Sequence, residues 1–146
     1  MMVRIAEKKD LETLVKLAKE LWEHAETKEL TAEFEELISK QDAVFLLKVY
    51  HGEVVGFAQV QLRNDYVEGC ETSPVGYLEG IFISEKFRNK GFAKELLSKA
   101  ELWAKERGIT EFASDCEQTN TESIAFHKKV GFKETNRIVC FKKELK

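Results

Sequence analysis

The chain is poor in the residues that cross-link, break or anchor a polypeptide. Only one proline, Pro74, occurs among 146 residues, and no stretch rich in proline, glycine or serine divides the chain, so residues 1–146 are expected to form one domain. No apolar run approaches the ~20 residues that a membrane helix requires. The N-terminal Met-Met-Val-Arg-Ile-Ala-Glu-Lys-Lys-Asp lacks a secretory apolar core. The three cysteines, Cys70, Cys116 and Cys140, are far apart, odd in number and match no metal-ligand spacing. Neither a disulfide framework nor a metal site is expected, and the chain reads as cytoplasmic. An excess of basic residues is also missing: 23 Lys+Arg against 26 Asp+Glu give a formal net charge of −3, which disfavours non-specific binding to nucleic acid. No internal repeat is found.

What is present suffices for a packed globular domain. Hydrophobic residues make up 43% and charged residues 34%, which excludes a disordered chain. Val3 to Ala6 reads as a short strand. Asp10 is placed to cap a helix whose inward residues are Leu11, Leu14, Val15, Ala18, Leu21 and Trp22. A second helix is expected from Thr31, with Phe34, Leu37 and Ile38 inward. Val44 to Tyr50 and Val54 to Leu62 form a hairpin about His51-Gly52. A long polar loop, residues 63–74, follows, a length that in a small domain points to function or mobility. A strand from Tyr77 to Ile83 leads into a helix that stops at Arg107-Gly108. Ile109 to Ser114 reads as a strand, Thr119-x-x-Glu122 as a capping box for a helix over 120–130, and Ile138 to Lys143 as the last strand. The order β-α-α-β-β-β-α-β-α-β-β implies an α/β (α+β) fold with a mixed central sheet and helices on both faces.

The most informative stretch runs from Val75 to Leu97. An apolar strand enters a short basic loop containing Gly91, and a helix with Phe92, Ala93, Leu96, Leu97, Ala100, Trp103 and Ala104 on one stripe follows. The first amides of a helix have no partner inside it, and its dipole favours an anion there. Glycine permits close backbone approach, and Arg88 and Lys90 add positive charge. This is a site suited to phosphate.

The spacing Arg88-x-x-Gly91-x-Ala93 resembles the acetyl-coenzyme A signature of the GNAT acetyltransferase superfamily, Gln/Arg-x-x-Gly-x-Gly/Ala. A second motif, Asn120-x-x-Ser123-x-x-Phe126-His127-x-x-x-Gly131-Phe132, resembles the late segment of the same family, with His127 where many members carry tyrosine. The strings Asp65-Tyr66-Val67-Glu68-Gly69-Cys70, Ser73-Pro74, Leu78-Glu79-Gly80-Ile81-Phe82, Ala113-Ser114-Asp115 and Gly131-Phe132-Lys133-Glu134-Thr135 resemble one branch, the aminoglycoside 6′-N-acetyltransferases. The first sixty residues match less distinctively, chiefly at Leu21-Trp22.

The resemblance implies a GNAT fold and transfer of an acetyl group from acetyl-coenzyme A to a cationic primary amine, in direct transfer, without a metal. It implies amides and side chains of Phe87, Arg88, Asn89, Lys90, Gly91, Phe92 and Ala93 at the pyrophosphate, and the backbone of Ile81, Phe82 and Ile83 along the pantetheine arm, with one N–H polarising the thioester carbonyl. Asn120 is expected on the pantetheine and Phe126 against the cofactor or in the core. Glu79 is the expected proton acceptor, directly or through water, although a strand position equally allows it to face solvent. Asp115 is expected to hold the acceptor ammonium. His127 occupies the place of the acid that protonates the departing thiolate, or simply contacts the cofactor. Trp22, His24, Tyr66 and Glu68 complete the expected acceptor wall. A homodimer is implied as well.

Charge patterning supports a cationic acceptor independently. Residues 23–36 contain six glutamates against Lys28, while residues 64–72 and 111–122 are acidic without a base. Aminoglycosides, polyamines and lysine-rich peptides all meet that description, and a coenzyme A-binding module with a degenerate acceptor site is the non-enzymatic alternative.

Overall fold

The computed structural model describes residues 2–146. Its elements in chain order are β1 (Met2–Ile5), α1 (Leu11–Leu21), α2 (Thr27–Leu37), β2 (Ala43–Tyr50), β3 (Glu53–Arg63), β4 (Val75–Ile83), α3 (Phe92–Lys105), β5 (Phe112–Ser114) and α4 (Thr121–Lys129). The five strands lie side by side in sequence order. β1 to β4 pair antiparallel, and β5 adds to β4 in parallel. This is the mixed sheet that the element order implied. Among the described residues, no helix is long and apolar enough to cross a membrane.

The sheet is covered on both faces, and its strands show why. β2 begins Ala-Val-Phe-Leu-Leu, a continuous apolar run rather than an alternating one, as expected when both sides are buried. Val44 and Leu46 face α3, where they meet Leu96, Leu97, Ala100 and Trp103. Phe45 and Leu47 face the other way, against Leu14, Ala18 and Phe34 of α1 and α2. Each fully buried leucine or phenylalanine contributes about 1.5–3 kcal/mol relative to exposure. A two-residue turn at His51 and Gly52, both with positive φ, closes the β2–β3 hairpin, as a type I′ geometry requires.

Four expectations are corrected. α2 begins at Thr27, not Thr31. Its first core residue is Leu30, and its N-cap Glu26 makes no side-chain cap, so the sequence carried no start signal there. β5 is confined to Phe112–Ser114, because Ile109 is drawn under the end of α3, with its N–H donating to the Ala104 carbonyl. Asn120, rather than Thr119, caps α4: its side chain accepts the Ser123 N–H at 3.1 Å. The last strand is absent. Ile138 to Lys143 pairs with no strand, and Ile138, Val139, Phe141 and Leu145 are exposed. The alternation of a strand is in the sequence, but the adjacent sheet edge, β5, is three residues long and offers the segment little to pair with.

Candidate active site

The site is organised by the point where β4 and β5 part. The parallel pairing spans only Gly76–Phe112, Tyr77–Ala113 and Leu78–Ser114. Beyond it, residues 79–83 of β4 have β3 on one side and no strand on the other. This is the carboxyl end of a parallel pair, where ligands bind in open α/β sheets. The backbone of Ile81, Phe82 and Ile83 therefore lies along an open edge, available to an extended ligand.

The strand also changes step there. Gln59 pairs with Gly80 and Val60 with Leu78, which leaves Glu79 as a β-bulge without a partner. Its side chain is half-buried and held by Arg63, the last residue of β3, through two parallel hydrogen bonds of 2.9 and 2.6 Å. The Arg63 guanidinium lies 3.5 Å from the centroid of the Tyr77 ring. The Tyr77 hydroxyl in turn donates to the carboxylate of Asp115, at the exit of β5. Burial, and then the bond to Asp115, push the Tyr77 phenol well above its ordinary pKa, so it stays a neutral donor. The bond to Glu79 raises Arg63 further. Trp22, at the end of α1, covers Gly80: a Cβ at that position would lie 2.6 Å from the indole. Glu79, Asp115 and Trp22 are thus gathered in one place.

The proposed phosphate end lies at the start of α3. Gly91 is its N-cap, with φ of 81°, and no side chain caps the helix. The first intrahelical acceptor, the Gly91 carbonyl, takes the Glu95 N–H, so the amides before it face outward. Asn89 also has positive φ. Arg88 donates from Nε to the Ile83 carbonyl at 2.8 Å and stands 5.3 Å from the Phe82 ring, tying the loop to the end of β4. Lys90 is exposed, Phe87 and Ala93 are half-buried. Phe92 points into the core against Tyr50, so only its backbone faces the loop.

His127 sits beneath the β4–β5 junction. Its Nδ1 donates to the Ser123 carbonyl at 2.7 Å, which turns Nε2 toward the Ser114 hydroxyl at 2.9 Å. Ser114 also reaches the Leu78 carbonyl, at 3.2 Å. Phe132 packs 5.1 Å from the imidazole, and Phe126 is half-buried beside it. A cavity of about 790 Å³ joins Tyr77, Ser114, Asp115 and His127 to Glu68.

Other expected residues are less well engaged. His24 is exposed, and Tyr66 is 78% exposed, bonded weakly to Glu68 at 3.4 Å. Glu68 accepts from Asn136 at 3.2 Å. Glu111, counted among the free acidic groups, accepts the amides of Glu71 and Thr72 and pins the loop before β4. Asn120 commits its carboxamide oxygen to α4. The sequence reading missed Arg63, Tyr77 and Ser114. Arg63 stands first in the stretch that reads as a polar loop, but ends β3. Tyr77 passed for an apolar strand residue, and only its placement two residues before Glu79 hinted at more.

Comparison with known proteins finds relatives over the length of the chain. The profile of the Acetyltransferase (GNAT) family matches residues 11–132. An aminoglycoside N(6′)-acetyltransferase type 1 of Serratia marcescens is 38% identical over 145 residues, covering 99% of both chains. The structure of AAC(6′)-Iy in complex with the bisubstrate analogue CoA-S-monomethyl-acetylneamine superposes with a TM-score of 0.93 at 35% identity, covering 99% of this chain and 98% of the other. The apo structure of the aminoglycoside 6′-N-acetyltransferase AAC(6′)-Ig from Acinetobacter haemolyticus gives the same score and identity over the full length of both chains.

Proposed function

The chain belongs to the GNAT acetyltransferase family, and we propose that it transfers the acetyl group of acetyl-coenzyme A to the 6′-amine of aminoglycosides, directly, within a ternary complex. The observation that carries this reading is the full-length match to enzymes of that activity, one of them solved with an analogue joining coenzyme A to an aminoglycoside. The residues fit the cofactor. The open edge of Ile81–Ile83 suits the pantetheine amides, and the uncapped start of α3 with Arg88 and Lys90 suits the pyrophosphate. The bound thioester supplies an activated acyl carbon.

The chain's own groups handle the protons. An alkyl ammonium has a pKa of about 10 and no lone pair until it is deprotonated. Glu79, aimed by the bulge, accepts that proton directly or through water. Asp115, steadied by the Tyr77 hydroxyl, holds and orients an ammonium of the acceptor. Trp22 forms the apolar wall and Tyr66 an outer one. In its imidazolium form His127 passes its Nε2 proton to Ser114 as the Ser114 hydroxyl proton goes to the departing thiolate; otherwise His127 serves only as a cofactor contact. A backbone N–H of residues 81–83 steadies the carbonyl oxygen as charge develops. Direct transfer needs no thiol nucleophile, and Cys116, the cysteine beside Asp115, is given no part in it.

The same reading places the protein in the cytoplasm as a homodimer. The uncovered Ile138, Val139, Phe141 and Leu145 support association, since a second copy would shield them. Turnover of a panel of amines, followed by thiol release, tests the function. Rapid acetylation of 6′-amino aminoglycosides but not of 6′-hydroxyl analogues is expected. Equal turnover of polyamines or lysine peptides would redirect the assignment to another amine. Glu79→Gln and Asp115→Asn should each depress turnover while acetyl-coenzyme A still binds.

A further inference from the structure

We propose that Arg63 is an internal cation occupying the acceptor subsite, and that its competition with the incoming ammonium selects polycationic acceptors over simple amines. The inference rests on the reading of Glu79 as the acceptor carboxylate. Both oxygens of Glu79 are taken by the Arg63 fork, at 2.9 and 2.6 Å. The fork leaves one lone pair on each oxygen, but it puts a fixed positive charge against the carboxylate, so an incoming ammonium must share Glu79 with Arg63 against their mutual repulsion or displace it.

Arg63 cannot resolve the conflict by losing its charge, because arginine stays protonated in proteins and Glu79 raises it further. It can move. The Arg63 side chain is 41% exposed, at the end of a strand beside a long loop, whereas Glu79 is 16% exposed and fixed in the bulge. The guanidinium already stacks on the face of Tyr77, 3.5 Å away, a contact it can keep while it slides off the carboxylate. Exchange at Glu79 is therefore a displacement of one cation by another.

That exchange is unequal for different acceptors. A monoamine gains Glu79 and must overcome Arg63 with that contact alone. A polyamine sugar brings a second ammonium to Asp115 in the same event, which offsets the displacement. Specificity then arises partly from a group that opposes binding, not only from groups that favour it.

The test compares Arg63→Gln, Arg63→Lys and Glu79→Gln with the parent enzyme. Neamine binding to the free enzyme is measured by calorimetry, and kcat/KM by thiol release for neamine and for benzylamine. With Arg63→Gln, neamine should bind about tenfold more tightly. The kcat/KM for benzylamine should rise more than that for neamine, and Arg63→Lys should fall between. Thermal unfolding checks that each variant is folded. If Arg63→Gln weakens neamine binding as Glu79→Gln does, Arg63 orients Glu79 and the competition is overturned, while the acceptor role of Glu79 stands. If Glu79→Gln leaves both binding and turnover unchanged, the reading of Glu79 fails and this inference with it.

Discussion

Lys48 and Glu95 form an ion pair between β2 and the first turn of α3 in which the two partners are unequally buried. The lysine side chain is 1% exposed and the glutamate 49%. The ammonium also lies 4.5 Å from the centroid of the Phe92 ring. Removing the two partners should therefore have different costs. Glu95→Gln leaves a buried ammonium without its counter-charge and should cost about 3 kcal/mol. Lys48→Met removes the buried charge, lets Glu95 turn to water, and should stay within about 1 kcal/mol of the parent. Urea denaturation of both variants measures the difference. Because the pair fixes the helix start that faces the pyrophosphate, Glu95→Gln should also raise the KM for acetyl-coenzyme A more than that for the acceptor.

Asp10 gives the fold an acid-sensitive tie. It accepts two bonds of 2.8 Å from Arg4 and one of 2.8 Å from the Glu7 amide. The bond from Arg4 is the main cause of its pKa falling from 3.8 to about 2. A depressed carboxylate pKa contributes stability that is complete above the unfolded value, near pH 4, and is lost as pH falls through the folded value, near 2. The contribution is about 2 kcal/mol. Asp10→Asn should be less stable by about that amount at pH 7, and the gap to the parent should close between pH 4 and pH 2 in denaturation curves taken along that range.

Gly80 is where a single methyl group should reach the acceptor wall. Its missing Cβ leaves room for the Trp22 ring, whose atoms would lie 2.6 and 2.7 Å from it, with Leu21 at 3.2 Å. Gly80→Ala must push the indole outward, at a cost of about 1–3 kcal/mol. The expected kinetic signature is a raised KM for aminoglycosides with a smaller change in kcat. An unchanged KM would show that Trp22 does not touch the acceptor.

Tyr77→Phe isolates the contribution of one hydroxyl. Asp115 is exposed, so water replaces the lost donor and stability should change by less than about 1 kcal/mol. The orientation of Asp115 is lost, and kcat/KM for aminoglycosides should fall about tenfold. Since the phenol pKa is raised by burial, the parent pH–rate profile should show no ionisation from Tyr77 below pH 10.

The sequence was most legible where one residue's chemistry coincides with a local pattern. The hairpin turn at His51-Gly52, the glycine before α3 and the apolar stripe from Phe92 to Ala104 all lie where the spacing put them. Glu79, Asp115 and Trp22 come together through contacts that do not show in the spacing. Arg63 and Tyr77 act through contacts between different strands, and no periodicity marks such a pair. The bulge escaped as well. Strict alternation would place Leu78, Gly80 and Phe82 on one face, whereas Leu78, Ile81 and Ile83 share the α3 face and Phe82 faces α1. The tail failed for a different reason: Ile138 to Lys143 has the composition of a strand, but pairing requires an edge, and composition does not supply one.

In the arithmetic of the ladder, Glu79 is surplus. Leu78 keeps Val60, Gly80 keeps Gln59, and each neighbour keeps its face of the sheet without reference to the residue between them. Excising Glu79 outright would let the two strands close into an unbroken run, with the core untouched and the acceptor carboxylate gone. The ladder and the proposed acceptor carboxylate are therefore separable at a single codon: the strand pairing on either side closes without the residue on which the proposed chemistry rests.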